Sequence, residues 1–142
     1  MLFRSREILH NALEFNETTI RDCMTNINEV ISMNIDNTIS QLQQQFIECR
    51  HTRIMIFENH TNNLVGYFHH HYLLKNPENI AQYLFKTQTV CETFLTHDLL
   101  HKMISEKLNI VVVTDKNNQQ IGIIALTDLL IVLFGEMEEV NY

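Results

Sequence analysis

Glycine and proline are scarce in this 142-residue chain, three and one respectively, and tryptophan is absent. So little glycine and proline excludes collagen-like and low-complexity architectures. The three cysteines, Cys23, Cys49 and Cys91, lie far apart without a C-x-x-C. That excludes a zinc knuckle and a disulfide framework, and the thiols read as reduced and buried. Lysine and arginine number only ten against 17 acidic residues, a formal net charge of −7. Scattered cations at that balance argue against nucleic acid as a partner, because phosphate-backbone binding needs clustered Lys and Arg. The longest apolar run, Leu129 to Phe134, falls well short of the roughly 20 residues that span a bilayer. Arg4, Arg6, Asn11, Glu14 and Asn16 interrupt the start, which is therefore not a signal peptide. The chain reads as soluble and cytosolic. G-x-S-x-G, P-loop and H-E-x-x-H motifs are also missing, and the expectation is that it is not an enzyme.

What is present is a core-forming composition, 45% apolar and 19% charged. A chain of this length forms one domain or two interlocked halves and buries roughly two thirds of its unfolded surface. It also contains a repeat. Leu64 to Lys75, LVGYFHHHYLLK, lies over Gln120 to Gly135, QIGIIALTDLLIVLFG. Val65 meets Ile121, Gly66 meets Gly122, Phe68 meets Ile124 and Leu73 meets Leu129, at an offset of 122 − 66 = 56 residues. Ile54 with Ile110 and Ile56 with Val112 extend the match without a gap. Each unit is too small to bury its apolar faces alone, so the two are expected to pack together, with a ligand at the seam.

In chain order, Ile8, Leu9, Ala12, Leu13 and Phe15 predict an entry helix over residues 3–14. Thr19 and Asp22 have the spacing of a capping box, Thr25 to Glu29 reads as loop, and Val30 to Met33 as a short buried strand. Asp36 to Thr38 caps a helix bearing Ile39, Leu42, Phe46 and Ile47. Arg53–Phe57 and Leu64–Phe68 form a hairpin around Asn59 to Asn63. A helix from His69 stops at Asn76, because a residue before Pro77 is pushed out of the α region. Residues 75–86 then link the units. In the second unit the same order returns: a strand at Thr87 to Val90, a helix over 94–106, strands at Asn109 to Thr114 and Gln120 to Ile124, and a helix over 126–135. The fold class is α+β, two tandem βαββα repeats packed as a pseudo-twofold pair behind an entry helix. The divisions are 1–25 entry helix and linker, 26–76 first repeat, 77–86 linker, and 87–142 second repeat with an acidic tail.

Leu13-Glu14-Phe15, Ile20-Arg21-Asp22 to Met24-Thr25, His51-Thr52-Arg53-Ile54, Leu64-Val65-Gly66, Leu73-Leu74, Val90 with Glu92-Thr93, and Gly135-Glu136 follow one another at family spacing. In this the chain resembles the tandem CBS-domain pair, or Bateman module, of the CorC/HlyC magnesium and cobalt efflux (hemolysin-like) family. The resemblance covers nearly the whole chain. It implies a regulatory part of a larger ion-transport protein, on the cytoplasmic side of a membrane domain, that senses AMP or ATP, with or without magnesium, in the cleft between repeats. It also implies a homodimer formed through the CBS helices, with Leu130, Leu133 and Phe134 as apolar contacts. The alternative is a degenerate pair that serves only as a dimerisation scaffold and binds no nucleotide.

An adenosine phosphate needs an apolar slot for its base, a carboxylate for its ribose hydroxyls and a cation or helix N-terminus for its phosphates. Carried over position by position, the nucleotide-binding set is Thr25, His51, Thr52, Arg53, Met55, Ile123, Ala125, Thr127 and Asp128. Asp128 is the ribose candidate, Arg53 the phosphate candidate and Ile123 a wall of the base slot. The chain departs from the family at Asn26 and Ile27, where Pro-Arg is usual, at Met55 for Pro, Ala125 for Thr and Thr127 for Glu. Each lost hydrogen bond costs on the order of 0.5–1.5 kcal/mol. In the first repeat Tyr72 stands at the Asp position and closes that copy to a ribose. The bland alternatives are a helix N-cap for Asp128 beside Thr127, and for Arg53 an ion pair with Glu48 or Glu58.

Two further clusters draw attention. His69, His70 and His71, with His60 upstream, contain good metal ligands, but adjacent histidines at a strand end diverge, so intrinsic metal binding is not expected. Glu136, Glu138 and Glu139 read as a solvated helix end.

Overall fold

The computed structural model describes residues 18–140, and the expected entry helix over 3–14 lies outside them. Described strands are β1 (Thr25–Asn26), β2 (Ser32–Asn34), β3 (Arg53–Phe57), β4 (Leu64–His69), β5 (Phe85–Lys86), β6 (Thr89–Cys91), β7 (Ile110–Thr114) and β8 (Gln120–Ala125). Helices are α1 (Ile20–Cys23), α2 (Ile39–Cys49), α3 (Thr96–Ser105) and α4 (Leu126–Val140). The class is α+β, and the chain divides into two compact units, Ile27–Gln88 and a second that joins residues up to Asn26 with those from Thr89 onward.

The unit carrying the first repeat is a four-stranded sheet in the order β2-β3-β4-β5. β2 runs parallel to β3, which α2 makes possible, because parallel neighbours need a long crossover. α2 starts where Thr38 and Gln41 exchange hydrogen bonds in a capping box. It buries Leu42 and Phe46 against Ile54 and Ile56 of β3, Phe68 of β4, and Ile80. Its last turn closes on Arg50 in the left-handed region at φ 58°. β3 and β4 form the expected hairpin, with Asn59 at φ 70°.

Three segments here differ from the sequence reading. The strand before α2 is Ser32–Asn34 rather than Val30 to Met33. His70–Lys75 is a 3-10 helix, not an α-helix. Asn76, before Pro77, ends it at φ 52°. The segment read as a linker contributes a 3-10 turn, Ile80–Tyr83, and β5, an edge strand paired to β4.

The other unit has the matching order β1-β8-β7-β6, with β6 parallel to β7 across α3. Ile20, Val90, Leu99, Met103, Val111, Val113, Ile124 and Leu129 form its core. The Thr19–Asp22 capping box forms as expected and opens α1. A forked Arg21–Glu92 ion pair, with Nε to Oε1 at 2.8 Å, ties α1 to the end of β6. Thr25–Asn26, expected as loop, is β1, antiparallel to β8, and a 3-10 turn at Ile27–Glu29 follows. The β7–β8 hairpin turns without glycine: Asn118 takes φ 67°, and Asp115 Oδ1 accepts from the backbone N–H of Asn117 and of Gln119.

The repeat-matched glycines do the same work in each sheet. A Cβ on Gly66 would lie 2.2 Å from the carbonyl oxygen of Phe85, and one on Gly122 would lie 2.4 Å from that of Thr25. Each glycine therefore lets a short edge strand, β5 or β1, lie close against the hairpin.

Candidate functional site

Successive residues of a strand face opposite sides. On β3 and β4, Ile54, Ile56 and Phe68 enter the core, so Arg53, Met55, Tyr67 and His69 occupy the other face. Pairing sets Arg53 against His69, Met55 against Tyr67, and Tyr67 against Phe85. The Tyr67 and Phe85 rings stack at 5.2 Å with 8° between planes. The Arg53 guanidinium carbon stands 5.7 Å from the Tyr67 centroid, a cation on a π face.

Arg53 Nε is buried and has no hydrogen-bond partner among the described residues. The ion pairs considered from sequence do not form, and the Glu48 carboxylate instead accepts from Gln44. A buried donor without an acceptor costs about 1–3 kcal/mol, more when charged, so this position is suited to an incoming anion. Met55 is 3% exposed, whereas His51 and Thr52 are exposed at the entry to β3. The Thr52 carbonyl accepts from the His70 N–H at 3.0 Å.

His69 ends β4 and caps the 3-10 turn, its Nδ1 accepting from the His71 N–H at 3.1 Å. Its ring stacks on His70 at 5.0 Å. Burial, then the Arg53 charge, then His70 and His71 hold its pKa below the ordinary histidine value.

In the other unit, β8 delivers the chain into α4. Leu126, the first helical residue, donates its N–H to the Asn109 carbonyl at 2.8 Å. Ala125 is therefore the cap position, and Asp128, three residues on, accepts the Ala125 N–H on Oδ2 at 3.2 Å. The N-cap alternative drawn from sequence is corrected by this geometry: Asp128 supplies the carboxylate half of a capping box, and Ala125 has no hydroxyl to supply the other half. Among the described residues only Oδ2 is engaged, which leaves Oδ1 of a half-buried carboxylate as an acceptor at a helix N-terminus. Thr25 pairs with Ile123 across β1 and β8. Thr25, Ile123, Ala125 and Asp128 are half-buried, and Thr127 is exposed. Burial, Asp22 and Asp128 together push the Cys23 thiol above its ordinary pKa.

The two units differ at matched positions. The offset of 56 carries Tyr67 to Ile123 and Tyr72 to Asp128, while strand pairing makes Phe85 the counterpart of Thr25. In the first-repeat unit Tyr72 meets Phe85 edge-on at 5.3 Å and Tyr83 at 5.3 Å, and Lys75 Nζ lies 5.4 Å over the Tyr72 ring. Aromatic rings occupy that position, whereas its counterpart carries a carboxylate, a threonine and an isoleucine.

Thr25, Ile123, Ala125, Thr127 and Asp128 thus gather in one unit, and His51, Thr52, Arg53 and Met55 in the other. Sequence reasoning missed Tyr67 and His69 as neighbours of Arg53, and Phe85 as the ring stacked on Tyr67. Period-two alternation could have placed the first two, but Phe85 sat in an apparent linker. A cavity of about 550 Å³ in the first-repeat unit, walled by Ile35, Glu58, Leu64, Leu84 and Lys86, includes none of the nine candidates. Among the described residues no three His, Cys, Asp or Glu side chains converge on a metal position. No described helix is long and apolar enough to cross a membrane.

Residues 88–135 match the family model for the CBS domain. Over 145 aligned residues the chain is 26% identical to a possible hemolysin C of Rickettsia akari, covering 98% of this chain and 48% of that protein. The chain spans about half the length of the curated relatives it matches. Among solved structures it is similar to the CBS domain of a bacterial CNNM/CorC family Mg2+ transporter in complex with ATP. The TM-score is 0.87 at 22% identity, covering 93% of this chain and 98% of that one. It is also similar to a CBS-domain pair with bound AMP from Klebsiella pneumoniae, with a TM-score of 0.67 at 17% identity, covering 88% and 99%.

Proposed function

We propose that this chain is a CBS-domain module of the CorC and hemolysin C kind, the regulatory part of a divalent-cation transport protein, and that it senses an adenine nucleotide. Asp128 Oδ1 takes the ribose hydroxyls, Ile123 flanks the base, and Arg53 takes phosphate. The module acts on the cytoplasmic side of a membrane domain in the parent protein. The observation that carries the reading is Arg53: its guanidinium is held over Tyr67 and its buried Nε–H has no acceptor among the described residues. A phosphate oxygen supplies that acceptor. Ligand would shift the module only by binding one of its conformations more tightly than another.

A melting titration with AMP, ADP and ATP, with and without magnesium, tests this. A saturable rise in melting temperature that is lost in Arg53→Met supports sensing. No rise with any of the three at several millimolar rejects it.

A scaffold role has its own supporting observation, the exposed apolar side chains of α4. Ile131 is 54% exposed and Phe134 39%. Leu130 is half-buried, and the side chain of Leu133 lies outside the described residues. Such a patch suits a second copy of the chain. Sedimentation of wild type and Phe134→Asp distinguishes a dimer closed through this face from a monomer.

A further inference from the structure

We propose that His69 is a second phosphate-binding group beside Arg53, recruited by protonation, so that a polyphosphate tail is held more tightly as pH falls. This deepens the nucleotide reading and rests on it. The two residues face each other across the antiparallel pair of β3 and β4, on the sheet face away from the core. Directly opposed side chains have their Cβ atoms about 4.5–5.5 Å apart, within reach of one shared anion.

Neutral His69 is already employed, its Nδ1 accepting the His71 N–H at 3.1 Å. The neutral ring therefore carries its proton on Nε2. Protonation removes the acceptor at Nδ1, frees the ring from its cap, and adds a positive charge next to a guanidinium whose Nε–H is already unpartnered. The charged and titratable groups that bear on the ring are Arg53 from β3, and His70 and His71 from the turn that follows β4. Together with burial they disfavour a positive charge on the ring, so the neutral ring is favoured until an anion arrives. A bound phosphate reverses that balance and takes up a proton as it binds.

The inference also separates ligands. A triphosphate brings more negative charge to Arg53 and His69 than a monophosphate does, so its affinity responds more strongly to an added cation. Acidification alone would weaken binding of either, because terminal phosphates gain protons near pH 6 and lose charge. A gain in affinity at lower pH must therefore come from the protein.

The experiment is calorimetric titration with ATP, AMP and inorganic tripolyphosphate at pH 8.0 and 6.0, each in two buffers of different ionisation enthalpy. The variant is His69→Asn, whose side-chain oxygen still caps the His71 N–H and so preserves the turn. Wild type is expected to bind ATP and tripolyphosphate about tenfold more tightly at pH 6.0, with proton uptake, as one added cation near contact distance requires. AMP changes by less. His69→Asn loses both the gain and the uptake. Binding that is equal at the two pH values, or a gain retained in His69→Asn, overturns the role of His69 and leaves the nucleotide reading standing. No saturable heat from any ligand at either pH overturns both.

Discussion

Replacing Gly122 by alanine tests how the edge strand that carries Thr25 is held. The new Cβ would lie 2.4 Å from the Thr25 carbonyl oxygen and 2.9 Å from Met24 Sδ. Ordinary van der Waals contact begins near 3.4 Å, so β1 must retreat by about 1 Å. Methionine can yield, but the carbonyl is fixed by the Thr25–Ile123 and Asn26–Gly122 pairing. Overpacking of this kind costs about 1–3 kcal/mol, and one or two lost ladder bonds add about 0.5–1.5 kcal/mol each. Alanine recovers only about 0.4–1 kcal/mol through the unfolded state. The clash therefore wins, by about 2–4 kcal/mol, or roughly 5–15 °C in melting temperature for a chain of this size. Gly66→Ala, with its Cβ 2.2 Å from the Phe85 carbonyl, should behave alike. Urea unfolding followed by far-UV circular dichroism reads both. Variants within about 0.5 kcal/mol of wild type would refute the close approach of β1 and β5.

Ala125→Thr should complete the half-formed capping box of α4, and Leu95→Ser should supply α3 with the cap it lacks; each is expected to stabilise by about 0.5–2 kcal/mol in the same unfolding assay. Arg50→Gly should relieve a left-handed residue at the end of α2 and raise the denaturation midpoint, by an amount on the order of 0.5–1 kcal/mol. For pH, the His69 pKa is lowered on folding, so the unfolded chain binds more protons below its ordinary value near 6.5. His69 accordingly contributes stability that is full above that value and is lost as pH falls through it toward the folded pKa. Urea midpoints between pH 5 and 7.5 should decline less steeply in His69→Asn than in wild type.

The repeat was legible because the same physical demand recurs at a fixed spacing: Gly66 and Gly122 each admit an edge strand, and Phe68 and Ile124 each fill a core. The Thr19–Asp22 box and the cap at Thr38 were equally legible, since both partners of each lie three residues apart. β1 and β5 were not. Two-residue strands carry no periodicity, and what makes them strands is pairing to a hairpin far along the chain. The 3-10 turn at His70–Lys75 was hidden for a related reason, because His69 caps it through a ring nitrogen that does not resemble a usual cap. At the site, residue identity suggested a ribose carboxylate and a phosphate cation. It could not show that Asp128 also closes the first turn of α4, or that Arg53 rests on Tyr67 with its Nε–H unpartnered.

The central claim is most directly measured by equilibrium dialysis of radiolabelled ATP against wild type and Asp128→Ala, with unfolding curves verifying that the variant keeps its fold. The account predicts saturable retention by wild type and its loss in Asp128→Ala. Equal retention by the two proteins, or none by wild type at millimolar ATP, would contradict it.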